Sequence, residues 1–304
     1  MNRNLISHHI WGSLAAKARS IRRRFYDTHT TSRLSASIAL ACTLLLSGCK
    51  TASQDGITQV ATIDALLAGV YDGHMSLREL RGYGDFGIGT FEGLDGEMIL
   101  LDGTFHKVRA DGKVYQPSLS ERTPFACVTR FVPDCRREIA SPINMSGMEA
   151  LVNTLVPEEN RFCAFMMHGD FSRVITRSVQ AQKKPYPPLL EVTRNQRVFA
   201  TTNICGTIVG FRSPAFVKGV NVPGFHIHFL ADDLSGGGHV LDFEITRGIL
   251  EADTVHQWLH VYLPSGSTSF SSADLKTDRS MDLQSVEKQT RAVVAPEPDT
   301  ANGK

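Results

Sequence analysis

The sequence predicts an α+β fold dominated by mixed and antiparallel β-sheet, in two closely packed halves with a few short helices. Three observations carry that prediction. Short apolar or alternating runs recur along the chain with Gly or Asp-Gly between them, whereas helical periodicity is confined to a few brief stretches. A length of 304 residues with 42% hydrophobic and 21% charged residues is also an ordinary globular composition, enough for a sizeable core.

In chain order, Thr62-Ile63-Asp64 opens a helix over 65–70. Strands are expected at 86–91, 98–101 and 105–109, with Asp95-Gly96, Asp102-Gly103 and Asp111-Gly112 as tight turns, so the first third reads as an antiparallel meander. A strand at 125–131 follows. Ser146-Gly147-Met148-Glu149 then reads as a capping box for a helix over 150–156 that Pro157 stops. Strands at 162–167 and 172–178 precede the proline-rich connection 183–188 and a short helix at 189–195. Five more strands are expected at 198–204, 207–211, 224–230, 239–245 and 255–263, then a weak helix at 281–291. The expected organisation is an N-terminal β-rich half at 57–140, a C-terminal half at 141–292 and a disordered tail at 293–304.

Residues 1–48 read as a targeting segment, with 49–56 as a tether. A basic stretch ending at Arg33 leads into the apolar run 38–46 and then Leu46-Ser47-Gly48-Cys49, which resembles a bacterial lipobox with Cys49 as the lipid-bearing residue. The expected location is the cell envelope, with the chain lipid-anchored and facing the periplasm or exterior. Seven of the 32 Lys/Arg but one of the 31 Asp/Glu fall within 1–48, leaving 25 basic against 30 acidic residues. That mildly acidic body excludes a nucleic-acid footprint. Beyond Cys42 and Cys49, the cysteines Cys127, Cys135, Cys163 and Cys205 form no CxxC pair; Cys127 and Cys135 are candidates for a small-loop disulfide or for free thiols.

Chemistry concentrates in Gly224-Phe225-His226-Ile227-His228-Phe229 and the following Ser235-Gly236-Gly237-Gly238-His239. On a strand, His226 and His228 share one face while Phe225, Ile227 and Phe229 share the other. A hairpin closing symmetrically about 231–238 would set Leu230 opposite His239 and His228 opposite Leu241, with His239 diagonal to His228. Three imidazoles on one face suit Zn2+ or another divalent transition metal. His106, His168, His256 and His260 lack a comparable partner set in the sequence. Spacing does not choose a carboxylate among Glu92, Glu97, Asp232, Asp233, Asp242, Glu244, Glu251 and Glu287.

The segments Phe91-Glu92-Gly93-Leu94-Asp95-Gly96-Glu97, Val174-Ile175-Thr176-Arg177-Ser178 and Gly206-Thr207-Ile208-Val209-Gly210-Phe211-Arg212, together with the histidine hairpin, resemble the alpha-acetolactate decarboxylase family. The resemblance implies zinc on His226, His228 and His239, a metal-shell carboxylate at Glu97, an active-site arginine at Arg177, a second glutamate best matched by Glu287, and a homodimer. It implies conversion of 2-acetolactate to acetoin and carbon dioxide, the step that leads toward butanediol. The alternatives are a zinc-dependent hydrolase or a non-catalytic metal- or ligand-binding lipoprotein, and the presence of both Arg177 and Glu97 favours chemistry over binding alone.

Overall fold

The computed structural model describes residues 56–254 and 256–288, and the targeting segment, Cys49 and the tail lie outside them. The sheet-dominated α+β expectation holds. The first sheet has seven strands: β1 (Gly56–Val60), β3 (Phe86–Thr90), β4 (Glu97–Leu101), β5 (Thr104–Val108), β6 (Val114–Tyr115), β8 (Ala126–Thr129) and β15 (Trp258–Tyr262), in the order β15-β1-β8-β3-β4-β5-β6. Its pairs are antiparallel except β1 with β15, which is parallel. β2 (Met75–Ser76) and β7 (Arg122–Thr123) make a two-stranded ribbon.

The second sheet is built from β9 (Cys135–Ile139), β10 (Ile143–Asn144), β11 (Cys163–Ser178), β12 (Arg197–Ser213), β13 (Gly224–Ala231) and β14 (Gly237–Asp253). β14 pairs with β9, β10 and β11, β11 with β12, and β12 with β13. The end of β13 also pairs with the start of β14, so the sheet curls back on itself. The chain changes sheets between Thr129 and Cys135, and β15 returns to the first sheet. Cys127 and Cys135 therefore sit in different sheets, and both are free thiols.

The two runs expected at 162–167 and 172–178 are one continuous strand, as are those at 198–204 and 207–211. The glycines that read as punctuation have another role. Gly206, Gly169 and Gly248 are paired in one row across β12, β11 and β14. A Cβ on Gly169 would come within 2.2 Å of the Arg247 carbonyl oxygen, and one on Gly248 within 2.4 Å of that of His168. The row lets long strands approach closely while they bend.

Among the described residues, six α-helices complete the fold: α1 (Ile63–Leu67), α2 (Leu77–Leu80), α3 (Met145–Leu155), α4 (Leu189–Thr193), α5 (Thr268–Ser272) and α6 (Ser280–Lys288). Thr62 caps α1 by accepting from the Ala65 amide, a contact of about 1 kcal/mol. The cap expected at Ser146 is instead Asn144, whose side chain accepts from the Gly147 amide, so the cap lies two residues earlier and α3 starts at Met145. The capping box is at Ser76 and Glu79 in front of α2. None of the helices among the described residues is long and apolar enough to cross a membrane.

The core has layers that follow from strand alternation. Ile227 and Phe229 pack inside the curled sheet with Phe165, Phe171, Phe243 and the α3 residues Met148 and Val152. The opposite face of the same strands meets the first sheet, where Val209, Phe211 and Leu230 pack on Phe86, Ile88 and Ile99. Leu66, Leu189, Leu283 and Val286 then join α1, α4 and α6 into a third cluster, which seats α6 against the body.

Candidate functional site

His226 and His228 project from β13 toward the first sheet, as two-residue periodicity requires, and both are buried. The hairpin register differs from the symmetric expectation. Leu230 lies opposite Gly237, and His239 lies directly opposite His228 rather than diagonal to it. Gly237 and Gly238 belong to the strand, where the chain is pinched: a Cβ on Gly237 would meet the Phe229 carbonyl oxygen at 2.4 Å. One on Gly238, at φ +126°, would meet that of Arg177 at 2.6 Å. Because the slip is by two residues, the facing side is preserved. A register irregularity between Ile175 and Thr176 of β11 then sets Arg177 directly opposite His239. Arg177, His239 and His228 thus form one row across three strands.

The three imidazoles converge. Their ring centroids are 5.2 to 5.4 Å apart, and one nitrogen from each lies within 4.8 Å of the other two. Burial holds all three far below the ordinary histidine value, with the Arg177 charge adding to the effect; His226 falls to about 3. They are neutral near pH 7 and present lone pairs. The Nδ1–H of His228 donates to the Met98 carbonyl oxygen of β4 at 2.9 Å, which leaves its lone pair on Nε2. That Nε2 is buried without a hydrogen-bond partner. A neutral, tautomer-fixed imidazole whose buried lone pair faces two others is the donor set of a transition-metal site.

Two of the eight candidate carboxylates reach the cluster. Glu97, at the start of β4, places Oε2 3.7 Å from His228 Nε2 and Oε1 3.5 Å from Arg177 Nη1. Glu287, on α6, places Oε2 3.7 Å from His239 Nε2. Burial pushes both carboxyls up to about 7 against the pull of Arg177, and for Glu97 the neighbouring Glu287 adds to the rise. Asp242 instead pairs with Arg173, Glu251 with Arg136, Asp232 with His168, and Glu244 accepts from Ser172. Arg177 donates from Nη2 to the Val286 carbonyl oxygen at 3.4 Å, and its buried Nε has no partner.

A void of about 40 Å³ lies between the histidines, Glu97, Arg177 and Glu287. Thr90, Phe125 and Val286 also line it, and none of these stands out in the sequence. Thr90 pairs with Glu97 across a six-residue connection that contains the 3-10 turn Glu92–Leu94, not the tight turn expected at 95–96, so that register was not available from the sequence. A second cavity of about 700 Å³ adjoins, with His239 and Glu287 in both linings and Phe225, Ile227 and Leu283 on its apolar side. The site is thus small and closed on the first-sheet side, with the larger space beyond Glu287.

Residues 57–277 match the family model for alpha-acetolactate decarboxylase. An alpha-acetolactate decarboxylase from Methanosarcina mazei is 45% identical over 236 residues, covering 78% of this chain and 81% of that protein. One from Bacillus subtilis is 39% identical over 235 residues, covering 76% and 90%. The crystal structure of alpha-acetolactate decarboxylase from Bacillus subtilis strain 168 gives a TM-score of 0.74 at 38% identity, over 77% of this chain and 99% of that one. Glu287 lies beyond the span matched by the family model, so its place beside His239 is a finding of the structure.

Proposed function

Because this chain belongs to the alpha-acetolactate decarboxylase family, we propose that it converts 2-acetolactate to acetoin and carbon dioxide at this cluster, with Zn2+ held by His226, His228 and His239. The observation that carries the metal reading is the trio of neutral, buried imidazoles converging within 4.8 Å, one of them with an orphaned lone pair. A bound zinc ion supplies Lewis acidity toward the keto and hydroxyl oxygens of the substrate, so that the electron pair left by departing carbon dioxide is delocalised.

The chain's own groups do the rest. Arg177 presents a forked donor set, with Nε uncommitted, to the planar carboxylate of the substrate or to its hydroxyl. Its guanidinium is fixed by Glu97 and the Val286 carbonyl, so little ordering is left to be done when substrate arrives. Glu97 is tied to both Arg177 and His228 and would stand as the carboxylate of the metal shell. Glu287 faces His239 alone, stands between the small void and the larger cavity, and returns a proton from its carboxyl to carbon, which sets the handedness of acetoin.

The test is direct: zinc-loaded protein is incubated with racemic acetolactate and acetoin is measured. Zinc bound with no acetoin formed would leave a hydrolase or a binding protein. The Leu46-Ser47-Gly48-Cys49 sequence supports export with a lipid on Cys49, anchoring the enzyme at the envelope. Wild-type protein is then expected to incorporate labelled fatty acid and Cys49→Ser is not, and equal labelling of the two would remove the anchor from the reading. The family also supports a homodimer, which light scattering at micromolar protein checks.

A further inference from the structure

We propose that His168, Cys205 and Asp232 form a second metal site on the surface, with a ligand set suited to Zn2+. This proposal does not depend on the decarboxylase reading. His168 lies on β11 and Cys205 on the neighbouring β12, where Asp170 is directly opposite Cys205 and Gly169 opposite Gly206. The register puts His168 diagonal to Cys205 on the same face. Asp232 follows β13, and its backbone amide donates to the Cys205 carbonyl oxygen at 3.1 Å, which fixes the turn over the pair.

The donor atoms meet at one point. His168 Nε2 is 3.0 Å from Asp232 Oδ2 and 3.9 Å from Cys205 Sγ, and all three lie within 4.8 Å of one another. A tetrahedral zinc ion needs ligand atoms roughly 3.3 to 3.8 Å apart, given bonds of about 2.0 to 2.3 Å. The observed set is within a few tenths of an ångström of that at the contacts to His168. The Cys205 thiol donates toward the Asp232 and Asp170 carboxylates, which holds Sγ beside both of the other donor atoms. A nucleophilic relay needs thiol and carboxylate on different nitrogens of the imidazole. Here both address Nε2, which is the arrangement of ligands around a shared centre.

Asp170 accepts from both the Cys205 thiol and Arg247 Nε, the latter at 2.5 Å, and the arginine pair keeps it out of the set. Three protein ligands remain, all exposed, with the outer position open to water. On binding, the thiol gives up its proton to solvent, the His168–Asp232 hydrogen bond is replaced by two bonds to the ion, and no redox change is involved.

The experiment uses the full chain, stripped with chelator, reloaded with Zn2+ or Co2+ and desalted before metal analysis. Wild-type protein is expected to retain two ions per chain, and Cys205→Ser and His168→Gln one, with acetoin formation changed less than twofold. The Co2+ form is expected to show a thiolate-to-metal absorption in the near ultraviolet that Cys205→Ser abolishes and His239→Ala keeps. An ion count in Cys205→Ser equal to that of wild type, a Cys205-dependent ion that washes away on desalting, or the same absorption in Cys205→Ser would each overturn the site. Failure of the buried cluster would show separately, as an unchanged ion count in His239→Ala.

Discussion

Replacing Arg177 by Gln separates metal holding from turnover. At 3.5 Å from Glu97 the guanidinium contributes an attraction of about 5 kcal/mol for an effective dielectric near 20. That gross figure does not all appear as lost stability. The Glu97 carboxyl is already raised to about 7 by burial against the pull of Arg177, so once Arg177 is gone it takes a proton instead of remaining an uncompensated charge. Breaking a buried pair costs about 3 to 5 kcal/mol when the charge must stay, which sets the ceiling for the fall in unfolding free energy. Turnover suffers differently. Loss of one fixed donor aimed at developing charge lowers kcat by about 10²- to 10³-fold, or about 2.7 to 4 kcal/mol of barrier. No zinc ligand is removed, so metal content should stay at the wild-type value. The assays are initial acetoin rates over a range of acetolactate concentrations beside metal analysis of the same samples. Arg177→Lys should not restore kcat, because an ammonium lacks the fork. A variant with kcat within tenfold of wild type, or one that loses zinc from the buried cluster, would refute the assigned role.

Three further outcomes are expected. His239→Ala should lose the buried zinc and acetoin formation together, read by metal analysis beside kinetics; full zinc retention would count against the ligand set. Glu287→Gln should keep zinc while kcat falls about 10²- to 10⁴-fold and the enantiomeric excess of acetoin, measured by chiral chromatography, declines. Unchanged stereochemistry at reduced rate would move the proton to another group. Gly238→Ala should destabilise the fold by about 1 to 3 kcal/mol in urea, because an alanine at φ +126° is strained and its Cβ meets the Arg177 carbonyl oxygen. An unfolding midpoint equal to wild type would mean that the pinch in β14 relaxes freely.

Much of the fold is legible because local patterns act locally. Gly or Asp-Gly bounding short apolar runs located β3, β4 and β5 to within a residue or two, since these strands pair with their sequence neighbours, β4 and β5 through the two-residue turn Asp102-Gly103. The same rule cut β11 and β12 in two, because a glycine at a turn and a glycine where three chains crowd together look alike in one dimension. The Asn144 cap was missed for a related reason. Ser146 and Glu149 have the right spacing, but β10 ends at Asn144 and the backbone turns into the helix there, which sheet pairing decides.

The buried cluster was readable in proportion to how much of it one hairpin contains. His226 and His228 follow from a period of two, and His239 from the chain folding back, so even a register wrong by two residues kept all three on one face. Arg177, Glu97 and Glu287 reach the site from β11, the first sheet and α6, where no short-range rule relates them to the histidines; the resemblance named them, and the row Arg177–His239–His228 gives the physical reason for the first. His168 fails the same test from the other side. It looked isolated because its partners Cys205 and Asp232 lie across a strand pairing and a turn, each unremarkable alone. A donor set gathered from separate elements carries no spacing for a reader to find. Its presence is decided by register, and the Gly206–Gly169–Gly248 row that sustains this register is therefore as much a condition of the proposed surface site as its ligands.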